Sequence, residues 1–291
     1  MECNINYLPE DLIAHALSLT APLDACKFAA TSSIFRSAAE SDTVWERFLP
    51  SDYRDVLQRS VSPVLFSSKK ELYFQLSDTP ILVDGRRKMF SLERSSGKKR
   101  FCISARELSI TWADNPMYWT WKSMSQSRFE EVVELRMISW LEIHGKINTQ
   151  LLSPNTTYGA YLIMNISNRA YGLDTEPSEV SVEVSGSDNM KSRGIAYLRR
   201  GGAKTSESWK QMWCWHRTEM MESIRRVLNG GDFGEEREVR EREDGWMEIE
   251  LGEFYVDGVV GREVKMSLVE SKGVHLKGGL VIEGIEVRPK L

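Results

Sequence analysis

Residues 101–121, FCISARELSITWADNPMYWTW, decide what kind of chain this is. From Cys102 to Trp112 the residues largely alternate in kind, the period-2 signature of a half-buried strand. Asp114-Asn115-Pro116 then bends the chain, since proline gives a ladder no donor and Asn and Asp accept turn conformations. In a strand starting after that bend, Trp119 and Trp121 point to one face and Tyr118 to the other. The stretch reads strand, turn, strand, and its four large rings cannot all serve one surface.

The same texture continues to the C-terminus. Leu135–Ile143, Tyr158–Ile166, Val180–Val184, Met247–Phe254, Val264–Val269 and Leu280–Val287 extend a series of about eight strands, separated by turn residues. Strands without alternating helices argue for an antiparallel sandwich. One interruption is Glu219–Leu228, where Met220, Met221, Ile224, Val227 and Leu228 have helical spacing before Gly230-Gly231 and the charge-rich run 235–244. Residues 217–244 read as a surface insertion. No repeat at a solenoid period occurs.

The first fifty residues read as helices. Pro9-Glu10-Asp11 places a proline and two acids at a helix start, and Leu12, Ile13, Ala16, Leu17 and Leu19 follow at helical spacing. Pro22-Leu23-Asp24 restarts the chain into a small-residue helix, and a third begins at Ile34-Phe35 and runs toward Val44-Trp45. Three short helices cannot bury a large core, so this unit is expected to need a partner. Residues 51–97 read as a linking extension, with a capped helix near Ser67–Leu76 and turns at Asp84-Gly85 and Ser95-Ser96-Gly97.

Composition narrows the function classes. The 291-residue chain is 41% hydrophobic and 27% charged with a net charge of -4, which creates no global field for nucleic acid or anionic lipid. Its N-terminal stretch lacks the basic start of a secretory signal, and no apolar run reaches the roughly 20 residues of a spanning helix. A soluble protein of the cytoplasm, the nucleus or both is expected. Cys3, Cys26, Cys102 and Cys214 have no zinc-site spacing and lack the density of a disulfide scaffold. His15, His144, His216 and His275 lie far apart, without a ligand or triad pattern. No Gly-x-Ser-x-Gly elbow or phosphate-cradling loop is present. The Gly97-Lys98-Lys99-Arg100 run reads as a solvated hairpin tip. Neither enzyme chemistry nor a metal or other cofactor is expected.

Two resemblances add to this reading. Tyr7-Leu8-Pro9-Glu10-Asp11-Leu12-Ile13, the small-residue helix and Val44-Trp45 closely resemble an F-box. That resemblance implies docking on a Skp-type adaptor, and through it on a cullin, by Leu8, Pro9, Leu12 and Ile13, with Leu23, Phe28 and Trp45 as further contacts. From about residue 98 to 291 the chain resembles the phloem protein two family, or Nictaba-like lectins. The resemblance rests on Ser104-Ala105-Arg106, the Trp112–Trp121 segment, Trp140-Leu141-Glu142-Ile143, Asp244-Gly245-Trp246-Met247-Glu248 and Gly284-Ile285-Glu286-Val287-Arg288-Pro289. It implies an α+β chain: a three-helix F-box followed by a jelly-roll-like antiparallel β-sandwich that binds N-acetylglucosamine-containing glycans or glycoproteins.

Sugars offer flat C–H patches between hydroxyls, so an aromatic face with nearby carboxylates or amides suits them. In the family the implicated tryptophans have the spacing of Trp112 and Trp119, and that role is carried onto those two. Asp114 and Asn115 in the turn, and Glu248 downstream, are the candidate hydroxyl partners, while Trp121 is left to the core. Core packing remains an equal reading for each tryptophan. Trp213 and Trp215 are assigned to the sandwich interior. Three roles stay open: a ligase adaptor that selects glycans, a ligase adaptor that selects protein surfaces, and a free cytoplasmic lectin.

Overall fold

The computed structural model describes residues 8–186, 191–199, 235–258, 261–270 and 275–290. Cys3, Tyr7, the Trp209/Trp213/Trp215 cluster with Cys214 and His216, and the helical spacing of 219–228 lie outside them. The architecture is α+β, a helical N-terminal unit followed by a curled antiparallel β region.

Four helices, rather than three, form the head: α1 (Glu10–Ser18), α2 (Pro22–Ala29), α3 (Ser33–Glu40) and α4 (Asp42–Phe48). Local chemistry sets their ends. Pro22 starts α2, where its missing N–H costs nothing, and the Ser32 hydroxyl accepts the Phe35 N–H to cap α3. Ile13, Leu17, Ala25, Ala38, Ala39 and Val44 meet inside. Trp45 closes this core, its indole N–H donating to the Ala39 carbonyl at 2.7 Å.

Residues 51–97, the expected helical and turn extension, also reach into the sheet. They supply α5 (Tyr53–Gln58), α6 (Lys69–Asp78) and two strands of the sandwich, β1 (Ile81–Val83) and β2 (Lys88–Leu92). On α6, Tyr73 and Phe74 each bring a ring centroid within 5.2 Å of the Trp45 ring. Leu72, Tyr73, Phe90 and Leu92 continue the same buried cluster into the sheet. So the head, too small to seal itself, is completed from below by its own chain. Gly97 shows how close the approach is: it takes φ +69°, and a Cβ there would sit 2.6 Å from the Phe48 carbonyl oxygen.

Among the described residues the sandwich has a nine-stranded and a six-stranded sheet. Its remaining strands are β3 (Lys99–Ser104), β4 (Ser109–Ile110), β5 (Trp119–Lys122), β6 (Val132–Leu135), β7 (Leu141–Asn148), β8 (Thr156–Tyr171), β9 (Ser178–Val184), β10 (Lys191–Ala196), β11 (Glu236–Arg237), β12 (Val239–Glu241), β13 (Met247–Val256), β14 (Glu263–Glu270) and β15 (Gly278–Pro289). The first sheet runs β1-β2-β3-β15-β8-β13-β12 with β5-β6 attached to β15; the second runs β11-β10-β9-β14-β7-β4. All pairings are antiparallel except β10 with β11.

Alternation holds where only one face is buried. On β7, Leu141, Ile143 and Ile147 point inward while Glu142, His144 and Lys146 point out. On β8, buried residues fill both faces, because the segment between β5 and β6 lies across the outer face of the larger sheet. The Trp246 N–H donates to the Gln126 carbonyl there at 3.0 Å. The charge-rich run expected as insertion is partly structural: β11 and β12 place residues 236–241 along the edges of the two sheets. Their acids and bases suit an edge, where charge discourages pairing with another chain.

Candidate functional site

Three surfaces carry chemistry, and the head comes first. Along α1, Ile13, Ala14 and Leu17 pack inward, and the 100° step per residue turns Leu12 and Leu19 to solvent. Leu8 and Pro9 ahead of α1, and Leu23 and Phe28 on α2, are exposed as well. Phe28 stacks on Phe35 with centroids 5.7 Å apart. Leu8, Pro9, Leu12, Leu23 and Phe28 are thus exposed apolar residues of the head. Ile13 and Trp45 do not belong to it. Both are core residues, Ile13 because it sits one helical step round from Leu12, Trp45 because it joins the head to α6.

The second surface is one end of the sandwich. Trp112 takes a left-handed backbone conformation, φ 58°, which throws its ring outward, and it is 52% exposed. The Tyr118 ring lies beside it, centroids 5.1 Å apart and planes at 32°. Trp119 is 1% exposed and donates its indole N–H to the Thr111 carbonyl at 2.9 Å. It is core, not a sugar-stacking face, so the expected Trp112–Trp119 pair does not form. Trp121 is half-buried; its N–H reaches the Ala113 carbonyl at 3.1 Å and the Arg106 guanidinium covers its ring at 3.6 Å. Asp114 and Asn115 are exposed beside Trp112, with the Asn115 side-chain oxygen accepting the Met117 N–H at 3.0 Å to hold the turn.

Residues remote in sequence complete this end. Thr111 continues the β4–β7 ladder by donating to the Glu142 carbonyl at 3.1 Å, which brings Trp112 level with the start of β7 and exposed Trp140. Arg136 ties the neighbouring loops together. Its N–H donates to the Tyr118 carbonyl at 2.8 Å, its guanidinium to the Pro116 carbonyl at 2.8 Å, and its carbonyl accepts the Tyr171 hydroxyl at 3.3 Å. Met117, Met137, Trp140, Tyr171 and Leu276 are all exposed. Sequence reading found Trp112 and missed this company, because a shared sheet end is a matter of register. Trp140, heading a strand of alternating residues, was the one legible signal.

The third feature is a charge network on the outer face of the larger sheet. Glu283 accepts the Arg128 backbone N–H at 2.7 Å and its guanidinium, and Glu286 accepts Arg128 and Arg100 at 2.9 Å each. Glu248 accepts Arg242 at 2.7 Å and Arg288 at 2.6 and 2.8 Å, while Arg288 covers the Tyr161 ring at 3.8 Å. Burial disfavours the Glu286 and Glu248 charges, but the arginines outweigh it and hold both carboxyls below the usual range. Glu248 is thus not a partner for the Trp112 turn. It spends its oxygens on two guanidinium groups, while Arg128 fastens the segment 123–131 to Glu283 and Glu286 of the sheet. The buried Cys102 thiol beneath is pushed up by desolvation.

No group of His, Cys, Asp and Glu among the described residues is arranged to hold a metal ion. No helix among them is long and apolar enough to cross a membrane.

A helical head with an outward leucine face, set on an antiparallel sandwich with an open aromatic end, defines an F-box protein with a second, β-rich domain. Residues 5–47 match the F-box domain and residues 98–289 match Phloem protein 2. The chain is 49% identical over 288 residues to F-box protein PP2-B15 of Arabidopsis thaliana, covering 97% of this chain and 96% of that protein. It is 47% identical to F-box protein PP2-B13 (97% and 98% covered) and 46% identical to F-box protein VBF (97% and 99% covered), both of Arabidopsis thaliana. The chain belongs to the F-box proteins of the phloem protein 2 family. F-box domains generally bind Skp1-type adaptors.

Proposed function

We propose that this chain is the substrate-recognition subunit of a Skp-cullin-F-box ubiquitin ligase, acting in the cytoplasm or nucleus. The head holds the adaptor, the sandwich end selects the target, and catalysis resides in the ubiquitin-conjugating enzyme brought by the cullin. The observation that carries this reading is the exposed face Leu8–Leu12–Leu23–Phe28 on a head whose interior is already sealed by Trp45 and α6. An apolar ridge left outside a finished core is worth burying against a partner, at about 25 cal/mol per Å² of apolar surface. Co-purification of the full chain with a Skp-type adaptor, and its loss in Leu8→Ala/Pro9→Ala, is the test. Failure of the wild-type chain to bind the adaptor removes the reading, and a complex that survives the double substitution moves the docking face away from Leu8 and Pro9.

For the target, a protein surface fits best. Met117, Met137, Trp112, Trp140 and Tyr171 are residue types enriched at protein interfaces, and their spread over several loops suits an extended contact. A glycan reading keeps one support, the exposed Trp112 ring beside Asp114 and Asn115. A glycan array on the full chain separates the two. Signal for N-acetylglucosamine oligomers or N-glycan cores that disappears in Trp112→Ala supports the lectin reading; silence from folded protein supports the protein surface.

A further inference from the structure

Between α5 and α6 the chain makes an ordered hook with no cover from the described residues. Ser60 bridges Val83, the Val61 N–H donates to the Leu82 carbonyl at 2.9 Å, and Val64 packs on the main core. At the far side Ser68 caps α6, and the Lys69 N–H donates to the Asp42 carboxylate at 2.8 Å. Between these anchors Val61, Leu65 and Phe66 face solvent, Leu65 at 81% exposure. A short segment held at both ends while presenting apolar side chains to water is shaped for a second surface.

The hook is continuous with the head's docking face. Asp42 and Glu46 of α4, which hold Lys69 three residues after Phe66, form one wall of an open groove of about 700 Å³. The other wall is Asp11, His15 and Ser18 of α1, and the next face of α1 carries Leu12 and Leu19. The Lys69 ammonium sits 5.5 Å from the Phe66 ring and 3.2 Å from the Glu46 carboxylate, so the hook meets the α4 wall of the groove through Lys69. We infer that the adaptor-docking surface does not end with the F-box but crosses this groove and finishes on Val61, Leu65 and Phe66. The occupant is the Skp-type adaptor, whose apolar side chains seat on the leucine ridge and on the hook, because the hook continues, through Lys69 and the α4 wall of the groove, the surface on which the F-box leucines stand exposed. This inference rests on the adaptor reading above.

The test uses the full chain and a purified Skp-type adaptor. Leu12→Asp should abolish binding. Leu65→Asp/Phe66→Asp should weaken it by about tenfold or more with an unchanged melting temperature. In the wild-type complex, hydrogen exchange at the backbone amides of residues 64–66 should slow. If Leu12→Asp abolishes binding while the hook variant binds like wild type and those amides gain no protection, the extension is wrong and the adaptor reading stands. If wild type fails to bind, the adaptor reading falls and takes the hook with it. A hook variant that binds adaptor normally but loses a captured target, or that changes oligomeric state, assigns the hook to a different occupant and overturns the inference.

Discussion

The Lys99 ammonium donates to both carboxylate oxygens of Asp52, at 3.0 and 2.8 Å, and so pins the first strand matched to the phloem protein 2 domain onto the residues that follow the F-box. The lysine is buried in doing so. Around it the Lys99 N–H donates to the Ser153 hydroxyl at 3.0 Å and its carbonyl accepts the Tyr158 hydroxyl at 3.0 Å. Head and sandwich are one packed body at this seam, through a residue that sequence alone placed on a solvated tip.

Asp52→Ala should therefore cost more than its own partial exposure suggests, because it strands a buried ammonium. We expect about 2–4 kcal/mol in urea unfolding, against a smaller loss for Lys99→Met, which removes the charge and keeps the packing. Equal losses for the two would show that stranding the Lys99 ammonium carries no extra penalty.

The tryptophans separate in the same way. Trp119→Ala empties a fully buried site and leaves the Thr111 carbonyl without its donor, a loss of about 3–5 kcal/mol. Trp112→Ala removes an exposed ring and should leave stability within about 0.5 kcal/mol of wild type. Thermal melts of both decide it; a Trp119→Ala protein as stable as wild type contradicts the burial assigned here.

Domain boundaries follow from the sheet. A fragment of residues 98–290 lacks β1, β2 and α6, so Phe101 and Ile103 lose the neighbours that cover them. It should melt lower and aggregate more readily than a fragment of residues 68–290, which keeps those elements. Matching melting curves for the two fragments would restore the boundary near residue 98.

Acid stability depends on the outer charge network. The folded carboxyl of Glu286 lies below its ordinary value of 4.5, so its contribution is complete above that pH and is lost as pH falls through the folded value. Unfolding midpoints should be nearly insensitive to this group from neutrality down to about pH 5 and drop below about pH 4.5. Glu286→Gln should lower stability at neutral pH by about 3–5 kcal/mol, since several arginines lose a buried partner, and should flatten the acid limb. An unaltered acid limb would show that the network does not govern it.

Much of this was written locally. Helix starts at Pro9 and Pro22, caps at Ser32 and Ser68, and the alternation of β7 and β9 depend on residues a few positions apart, so the sequence determined a helical head and an antiparallel β body, and the F-box and phloem protein 2 resemblances with them. The exposure of Leu8, Pro9, Leu12, Leu23 and Phe28 agrees with what helical periodicity and a compact motif led one to expect. Which ring is buried was not. Trp112 and Trp119 are equivalent by spacing, and only the left-handed turn at Trp112 and the sheet core around Trp119 tell them apart. Ile13 and Trp45 went inward, and Glu248 went to two arginines, because their partners come from other elements. Burial and ion pairing depend on what the rest of the chain brings alongside, so they were decided by tertiary structure alone, as was the seam between Asp52 and Lys99.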